Sequence, residues 1–139
     1  MNATSPNQNA TDESGWREHQ LPGLMGELGP LLSKKTENGW LYGLRAGKSH
    51  LNAAGIVHGG TVSTLLDHAF SAVCWHACDK HPCLTVQLNV NFLAPALEGD
   101  LLVVHTRITR KTRSLLFVDG SLCARGKTIA TAQAIVKPV

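Results

Sequence analysis

Charged residues are scarce in this chain of 139, at 17% of the total, and aromatic residues scarcer still at 5%, with a single tyrosine. A nucleic-acid surface built on basic residues interleaved with stacking rings is a poor fit to that supply, and no helix-turn-helix, zinc-finger or RNA-binding signature is present. Also missing is any apolar run long enough to cross a bilayer, because Gly, Asn and His break the longest uncharged stretches. Residues 1–15 carry neither the basic start nor the apolar middle of a signal peptide, so the expected location is cytoplasmic. Four cysteines are present without a C-x-x-C pair. In a reducing compartment that pattern reads as buried thiols, with no metal site and no cofactor expected.

What the chain does have is a hydrophobic content of 43%, enough for one domain around one core. Residues 1–15 read as a flexible tail and residues 16–139 as the folded domain. The net charge is +3. Its positive part is concentrated late, with seven Lys or Arg from Leu101 onward against the single acid Asp119. Such an imbalance suits a small anionic, phosphate-bearing ligand.

A short helical turn is expected over Leu21 to Leu28, then strands around Pro30 to Thr36 and Gly39 to Arg45, joined at Asn38-Gly39. A long helix is expected from Gly59 to about Cys78, stopped by Pro82. With Val62 at zero and 100° per residue, Leu65, Leu66, Ala69, Phe70, Val73 and Ala77 fall between about −60° and +80°. That face is built to be buried. From Thr85 to Phe92 apolar and polar residues alternate, with Val86, Leu88, Val90 and Phe92 on one face. Strand-like segments follow at Asp100 to Thr109, Ser114 to Ala124 and Lys127 to Lys137. The order predicts an α+β domain in which one antiparallel sheet wraps one helix. Its open edges point to pairing with a second copy.

The segment Asn52 to Thr61 is the richest in chemistry. His58, Gly59 and Gly60 stand at the helix start, where backbone N–H groups are unpaired and the helix dipole is positive, so this end favours negative charge. Asp67 lies at about 140° on the helical wheel, at the border of the apolar face. A half-desolvated carboxylate there suits general-base or nucleophilic work, or equally a bond to a neighbouring hydroxyl. His58 reads as a residue that fixes the helix start, and Asn52 as a donor to a carbonyl or a loop stabiliser. Arg110, Lys111 and Arg113, at a hairpin turn, are candidates for phosphate contact or a solvated tip.

The run from Asn52 to Phe70, NAAGIVHGGTVSTLLDHAF, resembles the signature of hotdog-fold acyl-CoA thioesterases of the PaaI-like type. Asn89 to Ala96, with Gly99-Asp100 after it, is similar to that family's next strand and exit. The resemblance implies a six-stranded antiparallel sheet around one long central helix. It also implies a homodimer, or dimer of dimers, with sites between subunits and acyl-CoA as substrate. In the family the Gly59 position donates its N–H to the thioester carbonyl, and the Asp67 position acts as nucleophile or general base from the opposite subunit. Asn52 falls near the carbonyl, and Thr85 and Ser71 are placed to hold water. Gly60 and Phe70 are further expected to contact substrate, Phe70 with Trp75, Phe92 and Leu93 around the acyl group. A non-catalytic acyl-CoA binder, and a hydratase or dehydratase using His58 as base, are the competing readings.

Overall fold

The computed structural model describes residues 13–139. The expected tail lies outside that range up to residue 12, and Glu13, just inside it, pairs with Arg45. In chain order the elements are β1 (Arg17–His19), α1 (Gly23–Leu28), β2 (Leu31–Thr36), β3 (Gly39–Arg45), a single 3-10 turn (Lys48–His50), α2 (Gly59–Ala77), β4 (Cys83–Phe92), β5 (Leu101–Lys111), β6 (Leu116–Ala124) and β7 (Lys127–Pro138).

Every strand pair is antiparallel, and the seven strands run in the order β1-β2-β3-β5-β6-β7-β4. The expected count of six is corrected by one. The added strand, β1, is the polar tripeptide Arg17-Glu18-His19, which carries no alternation to betray it and is held by pairing with β2. The β2–β3 turn is also one residue earlier than expected. Glu37 and Asn38 make it, and Gly39, at φ +119°, already pairs with Thr36. At the β6–β7 turn, Arg125 and Gly126 both have positive φ, which matches the right-handed twist of the strands they join.

The apolar stripe of α2 is buried as its periodicity requires. Leu65, Leu66, Ala69 and Cys74 have no exposed surface and pack against Leu44, Leu102, Val104, Leu116, Leu122 and Val136 of the sheet. Each such leucine is worth about 1.5–3 kcal/mol in burial. No helix among the described residues is long and apolar enough to cross a membrane.

Strand β4 departs from its sequence pattern in a way that matters. Thr85 pairs with Val136 and Gln87 with Ile135, so Val86 is an extra residue on its strand, a β-bulge. The bulge reverses the facing of everything before it. Leu88 and Val90 pack on the core as the alternation predicts, but so does Cys83, while Val86 stays exposed. Thr85, expected on the face away from the helix, is thereby turned towards it.

Candidate active site

The start of α2 is fixed by a tight loop. Val57 N–H donates to Ala96 O and His58 N–H to His50 O, while Asn52 N–H donates to Ile56 O. Buried His50 holds the loop from within: its Nδ1 accepts from Gly47 N–H and its Nε2 bonds Leu28 O, while its carbonyl accepts the Thr61 hydroxyl at 3.1 Å. No motif in the sequence marks His50, because the role depends on Leu28, His58 and Thr61, which only the fold brings to it.

His58 is the N-cap of α2, its Nδ1 accepting from Gly60 N–H at 2.7 Å. An Nδ1 that accepts leaves the proton of the neutral ring on Nε2, so His58 presents a donor and not a base. The same bond commits the Gly60 amide. Gly60 therefore does not offer its N–H to a substrate, a correction to the expectation from the glycine doublet. The Gly59 N–H, in contrast, has no partner among the described residues. A Cβ at Gly59 would lie 3.3 Å from the Phe92 ring, so that exposed ring sits directly over the helix start. Asn52 uses its side-chain oxygen locally, accepting from Ala54 and Ile56 N–H, and keeps its amide N–H₂ unengaged.

Asp67 is half-buried on α2. The hydroxyl of Thr85, re-aimed by the bulge, donates to its Oδ1 at 2.6 Å, and Ser71 Oγ lies 3.5 Å from Thr85 Oγ1. A carboxylate and two hydroxyls thus form one cluster joining α2 to β4. Asp67 and Gly59 are eight residues apart on one helix, about 12 Å at 1.5 Å per residue. One carbonyl carbon cannot be in reach of both from the same chain.

Beside Ser71 opens a cavity of about 600 Å³, bounded by α2, by β1 to β3 and by the start of β4. Trp40, Tyr42, His68 and Trp75 line it, and the Trp40 and His76 rings stack at 5.4 Å with planes 8° apart. Of the four residues expected around an acyl group, only Trp75 lines this space. Phe70 is corrected: it is 1% exposed, sealed against Gly120, where a Cβ would come within 2.8 Å of its ring. Burial pushes the His68 imidazole below its ordinary value of 6.5, against the opposing pull of Asp67, so the ring is held neutral.

The late basic residues disperse. Arg107 pairs with Asp119 and Arg125 with Asp100, and Lys111 Nζ donates to the Ala77 carbonyl at the far end of α2. Arg110 and Arg113, either side of Lys111 in the chain, are exposed. Cys74, Cys78 and Cys83 gather near that end of α2, and burial first, with the neighbouring thiols second, pushes Cys74 up to about 12. Among the described residues no three His, Cys, Asp or Glu side chains converge as metal ligands.

One long helix cradled by a single antiparallel sheet is the hotdog architecture. The thioesterase superfamily profile matches residues 54–131, and the chain belongs to that superfamily, a thioester hydrolase by family. An inferred esterase of Pseudomonas aeruginosa is 30% identical over 114 residues, 81% of this chain and 85% of the relative. Human acyl-coenzyme A thioesterase 13 is 29% identical over 89 residues, 63% of this chain and 64% of that protein. Among solved structures, an inferred thioesterase from Ralstonia eutropha related to phenylacetic acid degradation superposes with TM-score 0.67 at 29% identity, covering 97% of this chain and 92% of that one. The family expected from Asn52 to Phe70 is the family found.

Proposed function

We propose that this chain hydrolyses acyl-CoA thioesters in a site completed by two copies of the chain. The Gly59 N–H of one copy holds the thioester oxygen, and Asp67 of the other serves the reacting carbon. Attack converts the carbonyl into an oxyanion, for which a free amide at the positive end of a helix is a fitting donor. Asp67 supplies the other half, either by taking a proton from water as it attacks or by attacking directly and passing the acyl group to water. Both routes break the C–S bond and yield the free acid and the CoA thiol. Thr85 orients the carboxylate, and Ser71 extends the hydroxyl cluster towards the cavity.

The observation that carries the reading is the bond from Thr85 to Asp67, which holds a half-buried carboxylate in one orientation beside an apolar cavity. The acyl-CoA class rests further on the printed activity of the human relative and on the exposed guanidinium groups of Arg110 and Arg113, suited to CoA phosphates. Pairing of copies has its argument in β4, a ten-residue edge strand with Leu84, Val86 and Phe92 exposed, a surface that isolated chains rarely leave bare. The hydratase reading loses its base, because Nδ1 of His58 is occupied by Gly60 N–H.

The test is thiol release from a panel of acyl-CoA esters, with parent and Asp67→Ala proteins side by side. Release by the parent and its loss in the variant are expected. Tight binding of the esters with no thiol released by the parent would instead favour a carrier.

A further inference from the structure

Asp100 is a carboxylate that the mechanism leaves unused, and it is 8% exposed. Both of its oxygens are engaged. Oδ2 accepts the Leu97 N–H at 2.8 Å, and Arg125 Nε donates to Oδ1 at 2.9 Å and to Oδ2 at 3.1 Å. The same guanidinium reaches past the carboxylate, its Nη2 donating to Pro95 O at 3.2 Å. The pair therefore holds the backbone on both sides of Ala96. The Arg107–Asp119 pair, in contrast, joins two residues that already face each other in the β5–β6 register, and Arg107 is largely exposed. An exposed pair of that kind adds little.

Ala96 matters because its carbonyl accepts the Val57 N–H at 2.9 Å, two residues before Gly59. That carbonyl and the Leu97 N–H belong to one planar trans peptide unit, so they point in opposite directions. Fixing the N–H on Asp100 aims the carbonyl at Val57. The chain leading into this loop is held separately, by the Leu93 and Ala94 N–H groups on Ile129 O. At Pro95 to Leu97 the side-chain pair takes over.

We infer that Asp100 and Arg125 are positioning residues for thioester hydrolysis: through Ala96 and Val57 they hold the loop that delivers the free Gly59 N–H to the thioester oxygen. The inference rests on the acyl-CoA reading above and extends it to a pair remote from the reacting carbon. An oxyanion donor acts on the transition state far more than on the bound ester, so a slackened loop lowers kcat and leaves KM little changed. A pair that only stabilised the fold would show in melting and not in that split.

The experiment follows thiol release in the full chain, with whichever acyl-CoA of the panel turns over fastest. Arg125 stands at φ +53°, so its replacements are kept unbranched and long, and its partly exposed side chain leaves no internal void when shortened. Arg125→Gln should lower kcat about tenfold, with KM within about twofold of the parent. Arg125→Lys, which keeps the charge beside Asp100, should recover part of that loss. The sharpest arm repeats Arg125→Gln in a Gly59→Pro chain, which has no amide to deliver. There the change should cost nothing further in kcat, whereas independent effects would multiply. An unchanged kcat in Arg125→Gln, or the same loss in both backgrounds, would overturn the inference and leave the hydrolase reading standing. Residue-resolved hydrogen exchange reads the link without chemistry, and the Val57 amide should exchange about tenfold faster in Arg125→Gln than in the parent. A parent that releases no thiol sinks the hydrolase reading. The Val57 amide then decides alone whether the pair holds the helix start, and an unchanged rate overturns that as well.

Discussion

The two ends of the working surface of α2 are built in opposite ways. At Gly59 the backbone does everything: a loop pinned by His50, Val57 and Ala96 delivers one unpaired N–H, and side chains serve only to hold that loop. At Asp67 the side chains do everything, and the backbone contributes through a bulge that turns Thr85 towards the helix. The first end offers a fixed partial positive charge and the second a negative charge with adjustable surroundings. Thioester hydrolysis needs both within one carbonyl's reach, and the helix holds them about 12 Å apart. On the mechanism proposed above, the chain carries two half-sites, and function requires bringing unlike halves together.

The most damaging change should fall on the side-chain half. Asp67→Asn keeps the shape and can still accept from Thr85, yet loses its capacity as base or nucleophile, and thiol release should fall by roughly 10³-fold or more. At the backbone half, Gly59→Pro removes the N–H while suiting the first position of a helix, and His58, at φ −63° and ψ 139°, already has the extended backbone that precedes proline. Turnover should drop about 10²–10³-fold with the fold intact. Gly59→Ala is its control, since it asks Phe92 to give by a few tenths of an ångström yet keeps the amide, and it should retain most activity. Equal losses in the two variants would mean that space and not the amide is what Gly59 provides.

Thr85→Val tests the bulge. The shape is kept and the hydroxyl removed, so kcat should fall by about tenfold, with recovery in Thr85→Ser. The smallest effect concerns acid. His68 is held below the ordinary histidine value by burial, so the unfolded chain binds the proton more readily, and stability should decline as pH drops through about 6.5. His68→Gln should flatten that decline in urea melts taken between about pH 5 and pH 7, and an unchanged slope would place the titrating group elsewhere.

The two halves also differed in how far the amino-acid sequence disclosed them. The helix, its buried stripe and the position of Asp67 at the stripe's border follow from spacing alone, because a 3.6-residue period leaves each side chain one direction. The start at His58 and Gly59 was legible for the same reason, although which of two glycine amides stays free depended on the reach of the His58 ring. The bulge was hidden, since strict alternation from Thr85 to Phe92 is what an unbroken strand would also show, and the register with β7 decides the matter. The cavity was hidden more deeply. Trp40 and Tyr42 lie on β3, His68 and Trp75 on α2, and nothing local joins them until the sheet curls around the helix.

The central claim, that unlike halves from two chains make each site, is tested most directly by mixing two inactive proteins. Gly59→Pro and Asp67→Asn chains, combined by co-expression or subunit exchange in equal amounts, should regain about one quarter of parent activity, because half of the dimers hold one site with both groups intact. A mixture that exchanges subunits yet stays as inactive as its components would show that each site belongs to a single chain.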